Sequence, residues 1–342
     1  MRLSITIGAW ATDTRIYIKK MELIAGDIGG TKSWLAWVTG ETAEDHQLRF
    51  ERVYASAAFA TADDLVRQFI ADSGAAAVPD RLLLALPGAL HGQHARLTNL
   101  DWTLDAADMG ASLGIAGVRF INDFQAAAAG IATLAADDVV ALNPQPAEPG
   151  GVRAITGAGT GLGLAFMLAD ADGCYRNYAS EGGHIDFAPA NALQARLLEQ
   201  LRVAHGHVSW ERVVSGLALD DLYRFCGGGQ DALPPGDTVD GAELVARAAA
   251  GDMAAEAALD LFISLYGAWV GNVALLYQPR GGLYIAGGIA AHLLERMQAP
   301  RFLAAATDKG RMRGVVERTP ILLVTQTRLG LQGAIAAAFA PS

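Results

Sequence analysis

The chain predicts a duplicated α/β protein, built as two lobes around a crevice, and three observations carry that reading. Two glycine-rich turns, Gly26-Asp27-Ile28-Gly29-Gly30-Thr31 and Gly157-Ala158-Gly159-Thr160-Gly161-Leu162-Gly163, each follow one apolar run and precede another. A proline-rich stretch at 143–150 lies between them as a linker, and after it the strand–glycine turn–strand pattern restarts. At 342 residues the chain exceeds a single compact core, so two domains are expected. Units of this kind pack in layers and bind ligands where strands end at a crevice.

The elements follow in order. Residues 21–25 and 33–38 read as strands joined by the first turn, because Trp34, Trp37 and Val38 favour a strand after it. Leu65, Val66, Phe69 and Ile70 fall at helical spacing within 61–72. Residues 81–86 form a buried-strand candidate that ends at Pro87-Gly88, and 118–121 another that ends at Asn122-Asp123. Residues 124–135 predict a helix on alanine content. Beyond the linker, 152–156 and 164–169 flank the second turn. Leu193, Leu197, Leu198 and Leu201 make 191–204 an amphipathic helix, and 226–236 reads as a flexible loop. Residues 282–286 form a short strand before Gly287-Gly288, 321–325 a late strand and 332–340 a closing helix.

Composition excludes several functions. The chain is 52% hydrophobic and 18% charged, which rules out disorder. A net charge of −10 disfavours nucleic acid and acidic membrane surfaces, which require a basic face. Cys174 and Cys226 form neither a Cys-x-x-Cys nor a disulfide framework, which fits a reducing cytoplasm and excludes a cysteine zinc site. The longest uncharged run, 261–279, contains Ser264, Gly267, Gly271, Asn272 and Gln278, so it predicts a buried helix and not a membrane span. Residues 1–20 read as an extension outside the fold, with Met21 the expected start. Their apolar stretch, 3–8, is too short for a secretory signal, and Asp13 and Arg15 follow it.

The glycine turns fail two familiar templates. A Walker A loop requires a second glycine where Thr31 stands, and a helix where Trp34–Val38 reads as a strand. The second turn places Leu162 or Leu164 at the third glycine of a dinucleotide fingerprint, again with no helix directly after it. What remains is a phosphate-binding hairpin, in which glycine lets backbone amides approach an anion. Gly29, Gly30 and Thr31 would face phosphate oxygens, with Asp27 near a neutralising metal. An ordinary hairpin explains the same residues, and Asp27 is a common turn former.

Asn122-Asp123 is either a helix N-cap or a carboxylate at the crevice able to accept a hydroxyl proton. Glu181 and His184 flank Gly182-Gly183, a turn that can aim both into one pocket. Hydrogen bonding to a polar ligand suits them better than metal binding, and a core histidine is the plain alternative. Glu211 follows Ser209, a plausible N-cap, so the helix dipole alone would account for its charge. Three carboxylates, an asparagine and a histidine near glycine turns suit a polyhydroxylated ligand.

Several strings together resemble the bacterial ATP-dependent glucokinase family. They are Leu23-Ile24-Ala25-Gly26-Asp27-Ile28-Gly29-Gly30-Thr31, Ile121-Asn122-Asp123-Phe124, the whole second turn, and Glu181-Gly182-Gly183-His184-Ile185-Asp186-Phe187-Ala188-Pro189. Gly206-His207-Val208-Ser209-Trp210-Glu211-Arg212-Val213, Ile285-Ala286-Gly287-Gly288-Ile289 and Asp308-Lys309-Gly310-Arg311 complete the set, in the family's order. The resemblance implies the ribonuclease H-like fold of actin and hexokinase, with 21–133 plus 325–342 as a small α/β domain and 134–324 as a large one. It implies transfer of a phosphoryl group from MgATP to glucose, a cytoplasmic homodimer, and no nucleic-acid or membrane partner.

Position by position, the resemblance makes Asp123 the catalytic base. Thr98, Asn99, Asn122, Glu181, His184 and Glu211 become sugar ligands. Gly26, Asp27, Ile28, Gly29, Gly30 and Thr31, with Gly157, Gly159, Thr160 and Gly161, become phosphate loops, and Gly287-Gly288 the adenosine-side turn. Mg²⁺ would sit near Asp27, held mostly through ATP phosphates and water. Lys32 departs from the family, where asparagine is frequent. Another hexose kinase of this fold, using mannose or a polyphosphate donor, is the alternative. A non-catalytic sugar sensor is the further one, disfavoured because the N-terminal extension is too short for a DNA-binding element. Two isolated cysteines disfavour the related zinc-containing repressor/kinase family.

Overall fold

The computed structural model describes residues 20–97, 99–227 and 238–340. The expected extension at 1–20 (all but Lys20), Thr98 and most of the expected loop at 226–236 lie outside the described residues.

The first unit begins with β1 (Met21–Ile28), β2 (Lys32–Gly40) and β3 (Gln47–Ala55). Helix α1 (Ala62–Ser73) follows, capped by Thr61, whose hydroxyl accepts the Asp64 N–H at 3.1 Å, and closed by Gly74 at φ 68°. Then come β4 (Arg81–Leu86), the hairpin β5 (His94–Leu97) and β6 (Trp102–Asp105), α2 (Ala106–Leu113), β7 (Gly117–Asn122) and α3 (Asp123–Gly130).

The second unit holds β8 (Val139–Ala141), β9 (Arg153–Ala158), β10 (Leu162–Ala169) and β11 (Tyr175–Ser180). Helices α4 (Ala192–His205), α5 (Gly216–Phe225), α6 (Gly241–Ala249) and α7 (Met253–Tyr277) precede β12 (Leu283–Ala286). Four short helices, α8 (Gly288–His292), α9 (Leu294–Gln298), α10 (Pro300–Thr307) and α11 (Arg313–Glu317), lead to β13 (Ile321–Val324) and α12 (Leu329–Phe339).

The duplication is visible in strand order. One sheet runs β3-β2-β1-β4-β7 and the other β11-β10-β9-β12-β13-β8. In each, a two-hairpin antiparallel half joins two parallel strands, and β8 adds an antiparallel edge to the second. The proline-rich stretch connects β8 to β9 within the second sheet, so it does not separate the two sheets. The crossing comes earlier, after α3. Helix α12 returns to the first sheet and packs on Leu23, Ala25, Leu83 and Ala85.

Helix α3 and the turn after it sit between the sheets, with Ala127, Ala128 and Ile131 packed on Ile155, Ala165 and Met167. Its alanines let backbones come close: a Cβ on Gly333 of α12 would stand 1.7 Å from the Ala126 carbonyl oxygen. The helical run is shorter than alanine content predicts, ending at Gly130 with a single 3-10 turn after it. Helix α7 is long and apolar enough to cross a membrane, yet 72% of its most apolar window is buried. It is the buried helix predicted at 261–279, and it forms the spine of the second core.

Candidate active site

Both glycine turns are tighter than the sequence predicts. Gly26 and Asp27 belong to β1, where Gly26 pairs with Leu35 and Leu84, and a Cβ there would meet the Leu84 side chain at 2.8 Å. Ile28 is a core side chain at 1% exposure, so only its backbone faces a ligand. The true turn is Gly29–Thr31, closed by Gly29 N–H donating to the Lys32 carbonyl at 3.0 Å. Ser56 braces it, donating its hydroxyl to Gly29 O at 2.7 Å and its N–H to Thr31 O at 3.1 Å. Asn99 is exposed beside this turn, its Cβ 3.6 Å from where a Cβ on Gly30 would be.

In the second hairpin, Gly157 pairs with Ala286 inside the sheet and only Gly159–Gly161 form the turn. Gly159 donates to Gly161 O at 2.8 Å. Gly157 and Gly163 serve packing: Cβ atoms there would lie 3.2 and 1.9 Å from the Phe124 ring. That ring docks the start of α3 on the second sheet. Helix α7 holds β9 from below, with Tyr266 OH accepting the Ala158 N–H at 3.1 Å and Trp269 Nε1 donating to Thr156 Oγ1 at 2.8 Å.

The strand end at Asn122 divides two roles between adjacent residues. Asn122 is the N-cap of α3, its Oδ1 accepting from Phe124 N at 2.9 Å and Gln125 N at 3.1 Å. Its Nδ2 donates to Gly88 O at 3.1 Å, which leaves one amide hydrogen for anything else. Asp123 is thereby released from capping the helix alone, although its Oδ1 also accepts the Phe124 N–H at 2.8 Å. Burial pushes the Asp123 carboxyl up to about 7, and the charges of Asp27 and Glu181 push in the same direction. Burial also raises Asp27 to about 6, against the pull of Lys32.

Glu181, His184 and Glu211 come together. His184 Nε2 lies 3.9 Å from Glu181 Oε2 and its Nδ1 lies 3.8 Å from Glu211 Oε1. Ser209 occupies the N-cap position of a short 3-10 turn, Trp210–Arg212, but makes no side-chain cap. Glu211 instead reaches back to the second glycine turn, where its Oε2 accepts the Leu162 N–H at 2.9 Å. Gly161 makes room for it, because a Cβ there would stand 2.4 Å from Oε2. The site thus gathers Asp27, Asp123, Glu181, His184 and Glu211 around the ends of β1, β7 and β11 and the start of β10.

Next to the second turn, a cavity of ≈ 570 Å³ is lined by Gly159, Leu219, Val245, Gly288, Ile289 and Leu293 among others. Its apolar walls and its contact with Gly159 and Gly288 suit a flat heteroaromatic base attached to phosphates. Gly287 turns the chain into α8 at φ 98°, where a side chain would be strained. Sequence reasoning missed Ser56, Phe124 as the docking ring, and Gly330, which packs against Asp27. Among the described residues no cluster of three His, Cys, Asp or Glu side chains could hold a metal ion by itself.

Solved structures with this architecture include sugar kinases. The structure of a glucokinase from an Antarctic psychrotroph aligns with a TM-score of 0.77 at 30% identity, covering 93% of this chain and 98% of that one. A glucokinase from Balamuthia mandrillaris in complex with glucose (TM-score 0.75, 22% identity, covering 94% of each chain) shares the fold. So does a ROK family glucokinase from Streptomyces griseus in complex with glucose and AMPPNP, at a TM-score of 0.62 and 21% identity, covering 93% of this chain and 99% of that one. Fold and crevice therefore define a two-lobed sugar kinase. The glucokinase family model matches residues 24–340. The glucokinase of Synechocystis sp. is 37% identical over 92% of this chain and 97% of its own length, and that of Yersinia pestis 35% over 91% and 94%. The chain belongs to the glucokinase family, the ATP-dependent hexose kinases.

Proposed function

We propose that this chain transfers the γ-phosphoryl group of MgATP to the 6-hydroxyl of glucose, and that Asp123 is the base. One observation carries this reading: the crevice carboxylate at the start of α3 is held near neutrality by burial and by Asp27 and Glu181. A base of that strength takes a hydroxyl proton efficiently near neutral pH. As Asp123 takes the proton, the sugar oxygen bonds to the γ-phosphorus and the bridging bond to the β-phosphate breaks, releasing ADP. Positioning and electrostatics supply most of such catalysis.

Glu181, His184 and Glu211 would hold the sugar hydroxyls, with the remaining Asn122 amide hydrogen and Asn99 and Thr98 at its edge. The amides of Gly30, Thr31, Thr160 and Gly161 are those not consumed in closing the turns, so they would face phosphate oxygens. Adenine would enter the cavity beside Gly288. A buried Asp27 facing Asp123 fits a site that expects a cation, and one carboxylate suits Mg²⁺ held mainly by phosphates and water. Mg²⁺ would neutralise charge on the transferring group.

A coupled ADP-release assay across glucose, mannose and fructose, with ATP, ADP and polyphosphate as donors, tests the reading. Glucose with ATP should give the highest kcat/KM. Asp123→Ala should cut kcat by about 10²-fold or more while glucose binding persists. Near-wild-type turnover in that variant removes Asp123 as the base. The family resemblance supports a homodimer, which light scattering checks. The two unpaired thiols, Cys174 and Cys226, support a cytoplasmic location, which fractionation checks.

A further inference from the structure

A separate cavity of ≈ 830 Å³ opens where the two units meet, between β7, α3, the end of α12 and the turn from β10 to β11. None of Asp27, Asp123, Glu181, His184 and Glu211 lines it. Its polar lining is Arg119, Arg153, Gln93, Gln125, Tyr175 and Asn177, with no aspartate or glutamate among its walls. In a chain of net charge −10, a large basic cavity without a carboxylate is a local reversal of sign.

The two guanidiniums differ in how far the protein explains them. Arg119 donates to the Ala337 carbonyl, in the last turn of α12, where a cation complements the helix dipole. That contact occupies one of five N–H donors. Burial and the neighbouring Arg81 both push the Arg119 pKa down. Arg153 is held by an aromatic stack and not by an acceptor. Its guanidinium carbon lies 4.0 Å from the Tyr175 ring centroid, and its buried Nε has no hydrogen-bond partner. A buried donor left without an acceptor is unfavourable. An oxyanion with several acceptor oxygens, placed at the Nη edge of the guanidinium, would suit this side chain, because arginine forks match phosphate geometry. Gln93 and Gln125 are already engaged, Gln93 with the Phe120 backbone and Gln125 with Asn177 O, which leaves the arginines as the charged donors of the cavity.

We propose that this cavity is a second binding site, for a doubly charged oxyanion of the phosphate or phosphate-ester class, held by Arg119 from β7 and Arg153 from β9. Because those strands belong to different sheets, the ligand would tie the two units together at a place distinct from the crevice.

Cys174 provides a local reporter, since it is exposed and lines the same cavity, while Cys226 lies elsewhere. Alkylation by iodoacetamide, read peptide by peptide, is measured with added inorganic phosphate or glycerol 3-phosphate, and with chloride at matched ionic strength. Protection of Cys174 but not Cys226 is expected from phosphate, from the ester, or from both, and whichever protects at lower concentration identifies the source. Arg153→Gln should raise the half-protecting concentration about tenfold or more, as loss of a charge-assisted bond predicts. Arg119→Gln should do the same, and Arg153→Gln stands alone should the loss of the α12 contact unfold the former. The inference is overturned by equal protection from chloride, by no protection from either probe, or by unchanged protection in Arg153→Gln. Thiol labelling does not depend on turnover, so this result stands apart from the assay of the kinase reading.

Discussion

Gly330 and Asp27 share one space. A Cβ on Gly330 would stand 2.3 Å from Asp27 Oδ2, so the carboxylate at the end of β1 fits against the start of α12 only because residue 330 has no side chain. The N-terminus of a helix favours a negative charge. The C-terminal helix thus places a crevice carboxylate, far from it in sequence, beside the first glycine turn.

Gly330→Ala should therefore move Asp27 without deleting it. Overpacking of this kind costs about 1–3 kcal/mol, so Tm should fall modestly. The sharper expectation is kinetic: kcat falls and KM for ATP rises, while KM for glucose holds. If kcat is unchanged in a folded Gly330→Ala protein, Asp27 has no part in handling the donor.

The raised Asp123 pKa sets the direction of the pH profile. A base must be deprotonated to act, and its carboxyl is held up at about 7. Activity should climb with pH through that region and level off above it, with kcat/KM at saturating MgATP as the readout. Asp27, at about 6, adds a second protonation below it, so the two titrate as a pair. A profile flat from pH 5.5 to 8 (about this range) is incompatible with such a base.

The same shift is a statement about stability. Asp123 ionises more readily in the unfolded chain, where its pKa is the ordinary 3.8, than in the fold, where it is about 7. Its contribution is present in full below the unfolded pKa and is lost as pH rises through the folded one. Asp123→Asn should thus raise Tm relative to wild type at alkaline pH, with the gain shrinking towards pH 4 or so. Thermal unfolding monitored by circular dichroism across that window checks it, and a gain that grows on acidification reverses the sign of the claim.

Phe124 links the proposed base, Asp123, to the second sheet. Adding a methyl at Gly163 puts a Cβ 1.9 Å from its ring, so Gly163→Ala should tilt the start of α3 and lower kcat more than it raises KM for ATP. Gly159 does not face this ring, and Gly159→Ala, where a Cβ meets nothing within 4 Å, is the control for a general effect on the turn. Equal losses in both variants would assign the effect to phosphate contacts and not to Phe124.

Much of the fold was legible because its inner strands are buried on both faces. β1 and β4 read as continuous apolar runs, and each unit opens on a glycine hairpin, so the duplication could be inferred from 21–38 and 152–169. The edge strands β3 and β11 escaped, since both are largely exposed and carry no apolar period. Turn extents were overestimated because a glycine facing a close neighbour, as Gly26 faces Leu84, looks the same in sequence as one at a turn. At the site, the residue types were readable but not their division of labour. Asn122 and Asp123 are both good caps, and only the bonds from Phe124 N and Gln125 N to Asn122 assign that role. Glu211 looked like a first-turn carboxylate until its bond to Leu162 N, between residues distant in sequence, connected it to the glycine turn.

That bond makes Glu211 the test of how the sugar and donor sides are joined. Its Oε2 accepts from Leu162 N while its Oε1 lies 3.8 Å from His184 Nδ1, so one carboxylate joins the second glycine hairpin to the imidazole. Glu211→Gln keeps an oxygen for the Leu162 amide and removes the charge, whereas Glu211→Ala leaves that N–H without its partner. A bond from a neutral donor to a charged acceptor contributes about 1.5–3 kcal/mol. Glu211→Ala should therefore raise KM for glucose by about tenfold or more and also lower kcat, because the second turn loses its anchor. Glu211→Gln should raise KM for glucose with kcat much less affected. Should the two variants behave alike, the carboxylate acts through its charge on the sugar and not by holding the turn. An unchanged KM in both would remove Glu211 from the sugar site altogether.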